Sequence, residues 1–372
     1  MTAVGQMTTS APTGGTALRA AAGETLLEVE DLAVEFRTPD GTVRAVDGLS
    51  YSVRAGETLA IVGESGCGKS VSSLAVMGLL APTARITKGA ARFRGTDLLA
   101  LRPKEHRRYC GEHVAMVFQD ALAALNPVHT VGYQLGEALR ARHGVSRGEA
   151  RRRAVELLDL VKVPNARQRV DEYPHQFSGG MRQRVMIASA LAMDPEVLIA
   201  DEPTTALDVT VQAQVLRLLA EIQAERTMAL VLITHDMGVV AGVADDVTVM
   251  YAGRAVEQAP VREIFAAPAH PYTRALLRSV PSLATRGAAA GAGARADAKA
   301  AGGRLDVIPG RPPSPGQVPS GCPFHPRCEV AQDVCRTDPP PLAAIPAEAL
   351  TTAAPRAAAC HFALDVLGGA RG

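Results

Sequence analysis

The sequence has little to offer a membrane and little to offer a polyanion. Its longest apolar runs, such as "ALVLI" at 229–233, stop far short of the roughly 20 residues a membrane helix needs, which excludes a bilayer span by this chain itself. Lysine plus arginine (39) nearly cancel aspartate plus glutamate (38), so no bulk charge drives the chain onto nucleic acid or an anionic surface. The first 24 residues, rich in Ala, Thr and Gly, lack the charged start and apolar block of a secretory signal. A reducing cytoplasm is the expected setting, where six cysteines point to reactivity or metal before disulfides.

What is present is material for a core: 47% of 372 residues are hydrophobic, enough for two domains or one large α/β domain with additions. After an extension over 1–24 that reads as disordered, "LLEVEDLAVEF" (26–36) is β-rich, with "PDG" (39–41) as its turn. "ETLAIVGESGCGKSVSSLAVMGLL" then runs apolar strand, Gly-rich loop, helix. "EVLIAD" (196–201), "LVLITHD" (230–236) and "DVTVMYAG" (246–253) are further short apolar runs separated by helix-length segments. Buried strands alternating with helices predict an α/β fold with a mostly parallel sheet covered on both faces. Charged helical sequence such as "RGEARRRAVELLDLV" marks an inserted helical subdomain at about 125–180. Low-complexity Ala and Gly from 282 predict a flexible linker to 318, stiffened by "IPGRPPSPGQVP", before a Cys-rich tail domain at 319–372.

"GESGCGKS" (Gly63, Glu64, Ser65, Gly66, Cys67, Gly68, Lys69, Ser70) matches GxxxxGK[ST] in full, after a strand and opening a helix. The glycines let backbone amides turn toward phosphate, and the helix start adds partial positive charge. Lys69 is expected to reach the β and γ phosphates and the Ser70 hydroxyl to bind magnesium. "VLIADEP" places Asp201 and Glu202 at a strand end, Asp201 to hold magnesium and Glu202 to polarise the attacking water as general base. "QFSGGMRQR" (176–184) sets Ser178, Gly179 and Gly180 before a helix, a second anion site that one nucleotide does not need.

Together with Gln119 in "VFQD", Asp208 in "ALD" and His235 in "ITHD", these residues resemble an ABC-transporter ATPase subunit, a P-loop NTPase fold with a β-rich N-terminal subdomain, over a nucleotide-binding domain at 25–281. The resemblance implies two such domains stacked head to tail, the signature loop of one capping ATP on the phosphate loop of the other. It implies that Phe36 stacks on adenine, where the residues alone also allow a core Phe. Gln119 would sense magnesium and water, and His235 would contact the γ phosphate.

No membrane helices are fused to the cassette, and neither a second cassette nor a long coiled coil is visible, which favours a separate importer subunit over a ribosome or DNA worker. "ALNPVHTVGYQL" (124–135), "HPYTRALLRSVP" (270–281), "GCPFHPRC" (321–328) and "SGGMRQRVMIASAL", with Met181 where Gln is usual, look like the D-type ATPase of oligopeptide/dipeptide importers and their nickel-importing relatives. The resemblance implies ATP hydrolysis powering import of di- or oligopeptides from the cytoplasmic face of the membrane. The implied partners are an F-type ABC ATPase, two integral-membrane permeases and an extracytoplasmic peptide-binding protein, with no nucleic acid. Import of nickel or another small solute, and a non-transport ATPase with a redox-sensing or nucleic-acid role, are the competing readings. "HPYTRALL" reads as a Pro-started amphipathic packing helix without chemistry. The segment from Gln119 to about Glu137 either meets the coupling helices of the permeases or is core.

Cys322, Cys328, Cys335 and Cys360 are separated by five, six and twenty-four residues. That spacing leaves an iron–sulfur cluster, zinc and unligated thiols open, although the close C-x2–4-C knuckle of structural zinc is missing. Resemblance to D-type tails implies a [4Fe–4S] cluster on these four, with zinc as the alternative and His325 and His361 as substitutes for one ligand. Cys67 and Cys110 stand outside that set.

Overall fold

The structure, a computed structural model, describes residues 21–39, 41–205, 207–280, 308–349 and 355–369. In chain order the strands are β1 (Thr25–Thr38), β2 (Gly41–Arg54), β3 (Thr58–Val62), β4 (Ala84–Phe93), β5 (Thr96–Asp97), β6 (Val114–Val117), β7 (Val197–Asp201), β8 (Ala229–Thr234), β9 (Asp246–Tyr251), β10 (Arg254–Pro260), β11 (Ala343–Ala344) and β12 (Ala357–Ala358). The helices are α1 (Lys69–Val76), α2 (Pro103–Glu112), α3 (Ala121–Ala124), α4 (Val131–His143), α5 (Arg147–Leu160), α6 (Ala166–Arg169), α7 (Gly179–Ala190), α8 (Val209–Arg226), α9 (Met237–Val243), α10 (Val261–Ala266) and α11 (Pro271–Arg278), with two short helices in the tail.

Strands β2-β1-β4-β5 form an antiparallel sheet, and β11-β12-β10-β9-β3-β8-β7-β6 form the main one. Within the main sheet β6, β7, β8, β3 and β9 run parallel. Every residue of β3, β7 and β8 is buried, as expected where both faces of a parallel sheet are covered and the strands read as unbroken apolar runs. β3 lies between β8 and β9, so neighbours diverge there and the carboxyl ends of the strands open a crevice.

Three core clusters organise the interior. One packs the antiparallel sheet on α1 through Leu27, Leu32, Leu49, Ile61 and Val76. A second joins the helices between β6 and β7 to the sheet through Leu135, Leu158, Ile187, Leu198 and Leu218. Those helices start where a side-chain oxygen meets a free amide: Thr130 at Tyr133, Ser146 at Glu149 and Ser178 at Met181. The third holds Val62, Tyr251 and Tyr272 together with Ile308 and Phe324 from beyond residue 300.

That third cluster ties the tail expected at 319–372 to the cassette, and strand pairing does the same: β12 pairs with β10 and β11 with β12, so the tail extends the cassette's own sheet. Arg356, just before β12, is buried with its guanidinium on the carboxylates of Glu257 (3.3 Å) and Glu263 (3.2 Å). At the end of the expected linker, Ile308 is buried and the Pro309 carbonyl accepts from Arg327 Nε at 2.8 Å, while most of 310–318 is exposed. The rest of the expected linker, 282–307, and residues 1–20 of the expected extension lie outside the described residues.

Candidate nucleotide site and cysteine cavity

The loop after β3 is shaped by close backbone approaches. A Cβ on Gly63 would lie 2.3 Å from the Met250 carbonyl oxygen. One on Gly68, whose φ is +100°, would lie 2.3 Å from the Ala45 carbonyl oxygen, so both positions demand glycine. Gly68 caps α1, which aims its first amides into the loop. Lys69 is buried, and its Nζ donates to the carbonyls of Gly63 (2.8 Å) and Glu64 (3.1 Å). Ser70 Oγ donates to Asp201 Oδ1 at 2.9 Å. Burial raises the Asp201 pKa, while the Ser70 bond and the Lys69 charge oppose the rise. A hydroxyl and a carboxylate this close are the hard oxygen donors that magnesium takes.

Glu202 leaves β7 at φ +44°, a left-handed conformation that costs about 1–3 kcal/mol for a residue with a side chain. Its N–H donates to the Ile233 carbonyl at 2.9 Å, which ties that conformation to β8. The carboxylate accepts from Gln119 Nε2 (3.0 Å) and Thr205 Oγ1 (2.9 Å), and His235 Nδ1 stands 3.3 Å from Oε1. Asp236 caps α9 through the amides of Gly238 and Val239, fixing the turn that presents His235. Gln119, Glu202 and His235, far apart in sequence, thus meet beside the Ser70–Asp201 pair.

Ser178 Oγ accepts from the Met181 amide, and Asp208 Oδ1 from the Val211 amide, so each begins a helix. A Cβ on Gly180 would lie 2.6 Å from Val211 Cγ1, whereas Gly179 has room. Among the described residues neither Ser178 nor Asp208 has a hydrogen bond to the phosphate loop. Phe36 is half-buried against the first core cluster, two residues from the end of β1.

The sequence reading missed two groups on the phosphate loop. The Glu64 N–H donates to the Tyr272 hydroxyl of α11 (2.9 Å), the helix expected to carry no chemistry. The Glu64 carboxylate also pairs with Arg327 from the tail at 2.6 Å. Pro312, Pro313 and Pro315 line a cavity together with Arg44, Glu64 and Gly66, covering one side of the loop.

All six cysteines are free thiols. Cys322, Cys328, Cys335 and Cys360 line one cavity with Phe324, His325, His361 and Phe362. The Cys322 N–H donates to the Cys335 carbonyl at 2.8 Å. This close approach needs Gly321, at φ +69°, where a Cβ would meet that carbonyl oxygen at 2.4 Å. Burial raises the thiol pKa of Cys322 and of Cys328, and it pushes that of Cys360 up to about 11. His325 Nδ1 lies 3.0 Å from the Cys322 carbonyl and His361 Nε2 2.9 Å from the Asp338 carbonyl. Among the described residues no group of three or more His, Cys, Asp or Glu is placed to hold a metal ion. Cys67 is buried inside the phosphate loop, and Cys110 Sγ donates to the Val76 carbonyl, both away from the cavity.

The chain matches the ABC transporter family over residues 46–205 and the oligopeptide/dipeptide transporter C-terminal region over 256–302 and 292–335. It is 51% identical to the oligopeptide transport ATP-binding protein OppD of Salmonella typhimurium, over 85% of this chain and 89% of that one. It is 47% identical to the dipeptide transport ATP-binding protein DppD of Escherichia coli, over 92% and 98%. The dimeric structure of a bacterial ABC transporter cassette superposes with a TM-score of 0.58 at 26% identity, covering 64% of this chain and 99% of the cassette. The family matches and the relatives, similar over most of both chains, agree: the chain belongs to the ABC transporter ATP-binding proteins of the oligopeptide/dipeptide group.

Proposed function

We propose that this chain binds and hydrolyses MgATP to power uptake of di- or oligopeptides through a membrane transporter. The observation that carries the chemistry is the meeting of the 63–70 loop with Asp201, Gln119, Glu202 and His235 at the carboxyl ends of β3, β6, β7 and β8. The loop amides and Lys69 would hold the phosphates, and Ser70, Asp201 and Gln119 would hold magnesium, which would supply positive charge against the charge developing on the phosphoryl oxygens. Glu202 takes the proton of the attacking water, and His235 faces the γ phosphate. Phe36 stacks on adenine. Ser178, Gly179, Gly180 and Asp208 act across a pair of cassettes, which accords with their lack of hydrogen bonds to this chain's own loop.

Peptide as cargo is supported by the names of the Salmonella and Escherichia relatives. No described helix is long and apolar enough to cross a membrane. In this reading the chain works from the cytoplasmic face on two permease subunits, paired with an F-type ATPase and fed by an external binding protein. Tagged protein drawn from membranes should bring down two integral membrane proteins and a second ATPase. Ribosomes or DNA in their place would overturn the transport reading.

The four tail thiols, which are not placed as a ligand set among the described residues, would hold a [4Fe–4S] cluster once drawn together. Support comes from their convergence on one cavity walled by Phe324 and Phe362, from segments that Gly321 and β12 bring together. Anaerobically purified protein should contain iron and acid-labile sulfide. Zinc without either would replace the cluster with a structural zinc.

A further inference from the structure

The phosphate loop is gripped from outside the strands and helices that form it. Both terminal nitrogens of Arg327 reach the Glu64 carboxylate, at 2.6 and 3.0 Å, across 263 residues of chain. Arg327 stands between Cys322 and Cys328, and its side chain is 5% exposed. Its Nε is held by the Pro309 carbonyl, and Nη1 also reaches the Tyr251 hydroxyl at 3.3 Å. The guanidinium lies 5.8 Å from the Tyr251 ring centre and 6.0 Å from that of Phe324, which is itself a wall of the cysteine cavity. On the other side, the Glu64 carbonyl accepts from Lys69 Nζ. A continuous polar path therefore runs from the cysteine segment through Arg327 and Glu64 to the ammonium that meets phosphate.

Packing alone would staple the tail to the core. Tyr251, Tyr272, Ile308 and Phe324 already do so in one buried cluster. A guanidinium fork adds something packing does not: two parallel bonds fix the position and the orientation of a carboxylate. Here that carboxylate belongs to the residue whose N–H donates to the Tyr272 hydroxyl and whose carbonyl accepts from Lys69 Nζ, so the fork adds a side-chain hold to the backbone ones.

We propose that Arg327 is a positioning residue for the phosphate loop. The folded cysteine segment holds Arg327, Arg327 sets Glu64, and Glu64 sets Lys69, so affinity for ATP depends on the state of the tail. By reciprocity, MgATP tightens the tail around residues 322–328. The inference rests on the ATP-site reading and is indifferent to what the cysteines hold.

The test uses the full chain, with MgATP affinity, steady-state hydrolysis and hydrogen exchange measured side by side. Arg327→Gln should raise the Kd and KM for ATP roughly 5- to 150-fold, the usual range of site-to-site coupling, with the loss falling on KM rather than kcat. Arg327→Lys, which keeps the charge but not the fork, should fall between. Arg327→Gln combined with Glu64→Gln should be no worse than the weaker single variant, because both break one path. Saturating MgATP should slow exchange at 322–328 in the unaltered chain and not in Arg327→Gln. Unchanged ATP affinity with a loosened tail would reduce Arg327 to a staple and overturn the proposal, as would additive losses in the double variant. If Arg327→Gln fails to fold, Glu64→Gln decides alone, since it leaves the tail's own residues intact: unchanged affinity there refutes the path. Failure of the unaltered chain to bind MgATP would instead sink the ATP reading, and the proposal with it.

Discussion

Replacing Glu202 with glutamine separates holding the site together from doing its chemistry. The carboxamide has the shape of the carboxylate, and its oxygen can keep both bonds that Oε2 accepts from Gln119 (3.0 Å) and Thr205 (2.9 Å). Its amino group then faces His235 Nδ1, 3.3 Å away, an acceptor when the ring carries its proton on Nε2. The strained backbone at φ +44° is unchanged, because it is held by the Ile233 carbonyl and not by the side chain. Stability should move by less than about 1 kcal/mol. What disappears is a group that can take a proton from water. Losing a positioned general base costs roughly 10²–10⁴ in rate, or about 3–5 kcal/mol of barrier. Phosphate release at saturating MgATP should fall by that factor, while nucleotide affinity and melting temperature stay near those of the unaltered chain. A kcat within about threefold of the original would remove Glu202 from proton transfer.

Two further outcomes concern the tail's attachment. Arg356→Met should destabilise the chain by about 3–5 kcal/mol, because it takes the guanidinium from the fully buried Glu257 and leaves its charge to neutral donors such as the Ala269 and His270 amides, and adding Glu257→Gln should recover part of the loss in chemical denaturation. His270 is buried and its pKa is pushed down to about 4 by burial, from 6.5. Between those values the unfolded chain binds the proton and the folded chain does not, so stability falls on acidification, by about 3 kcal/mol in total from this group. His270→Asn keeps an acceptor for the Tyr272 amide and removes the titration, so its denaturation midpoint should decline less from pH 6.5 to 4. Equal declines would show that other groups set the acid limit; Glu257, raised by burial, is common to both proteins and cancels.

The nucleotide site was legible because its residues sit where strands end. An apolar run followed by a polar residue fixes both the strand and the crevice, which is how 63–70, Asp201, Glu202 and His235 come together. Their partnership with Gln119 followed only from resemblance, since β6 is a four-residue run that periodicity does not single out. The anchoring at Ile308 and Pro309 was not legible because Pro and Gly composition speaks of stiffness and never of docking; the anchors are one buried Ile and one carbonyl. Tyr272 shows the same limit from the other side. Helical periodicity announces that the ring is buried, and it is silent on the hydroxyl that reaches the Glu64 amide. Arg327 looked like one residue of a cysteine motif, and its function depends on a partner 263 positions away.

Strand β10 invites a last consequence. On its own it would be an edge strand, offering unpaired N–H and C=O groups to any passing chain. Ala357 and Ala358 take the middle of that edge opposite Gln258 and Glu257, and Ala343 and Ala344 pair beyond them, so the centre of β10 is covered and the outermost strand there is two residues long, too short to template another chain. A chain cut after Arg278 would therefore not yield a tidier ATPase. It would bare the centre of the β10 edge, strip Glu257 of the Arg356 guanidinium, and turn a covered flank into an adhesive one.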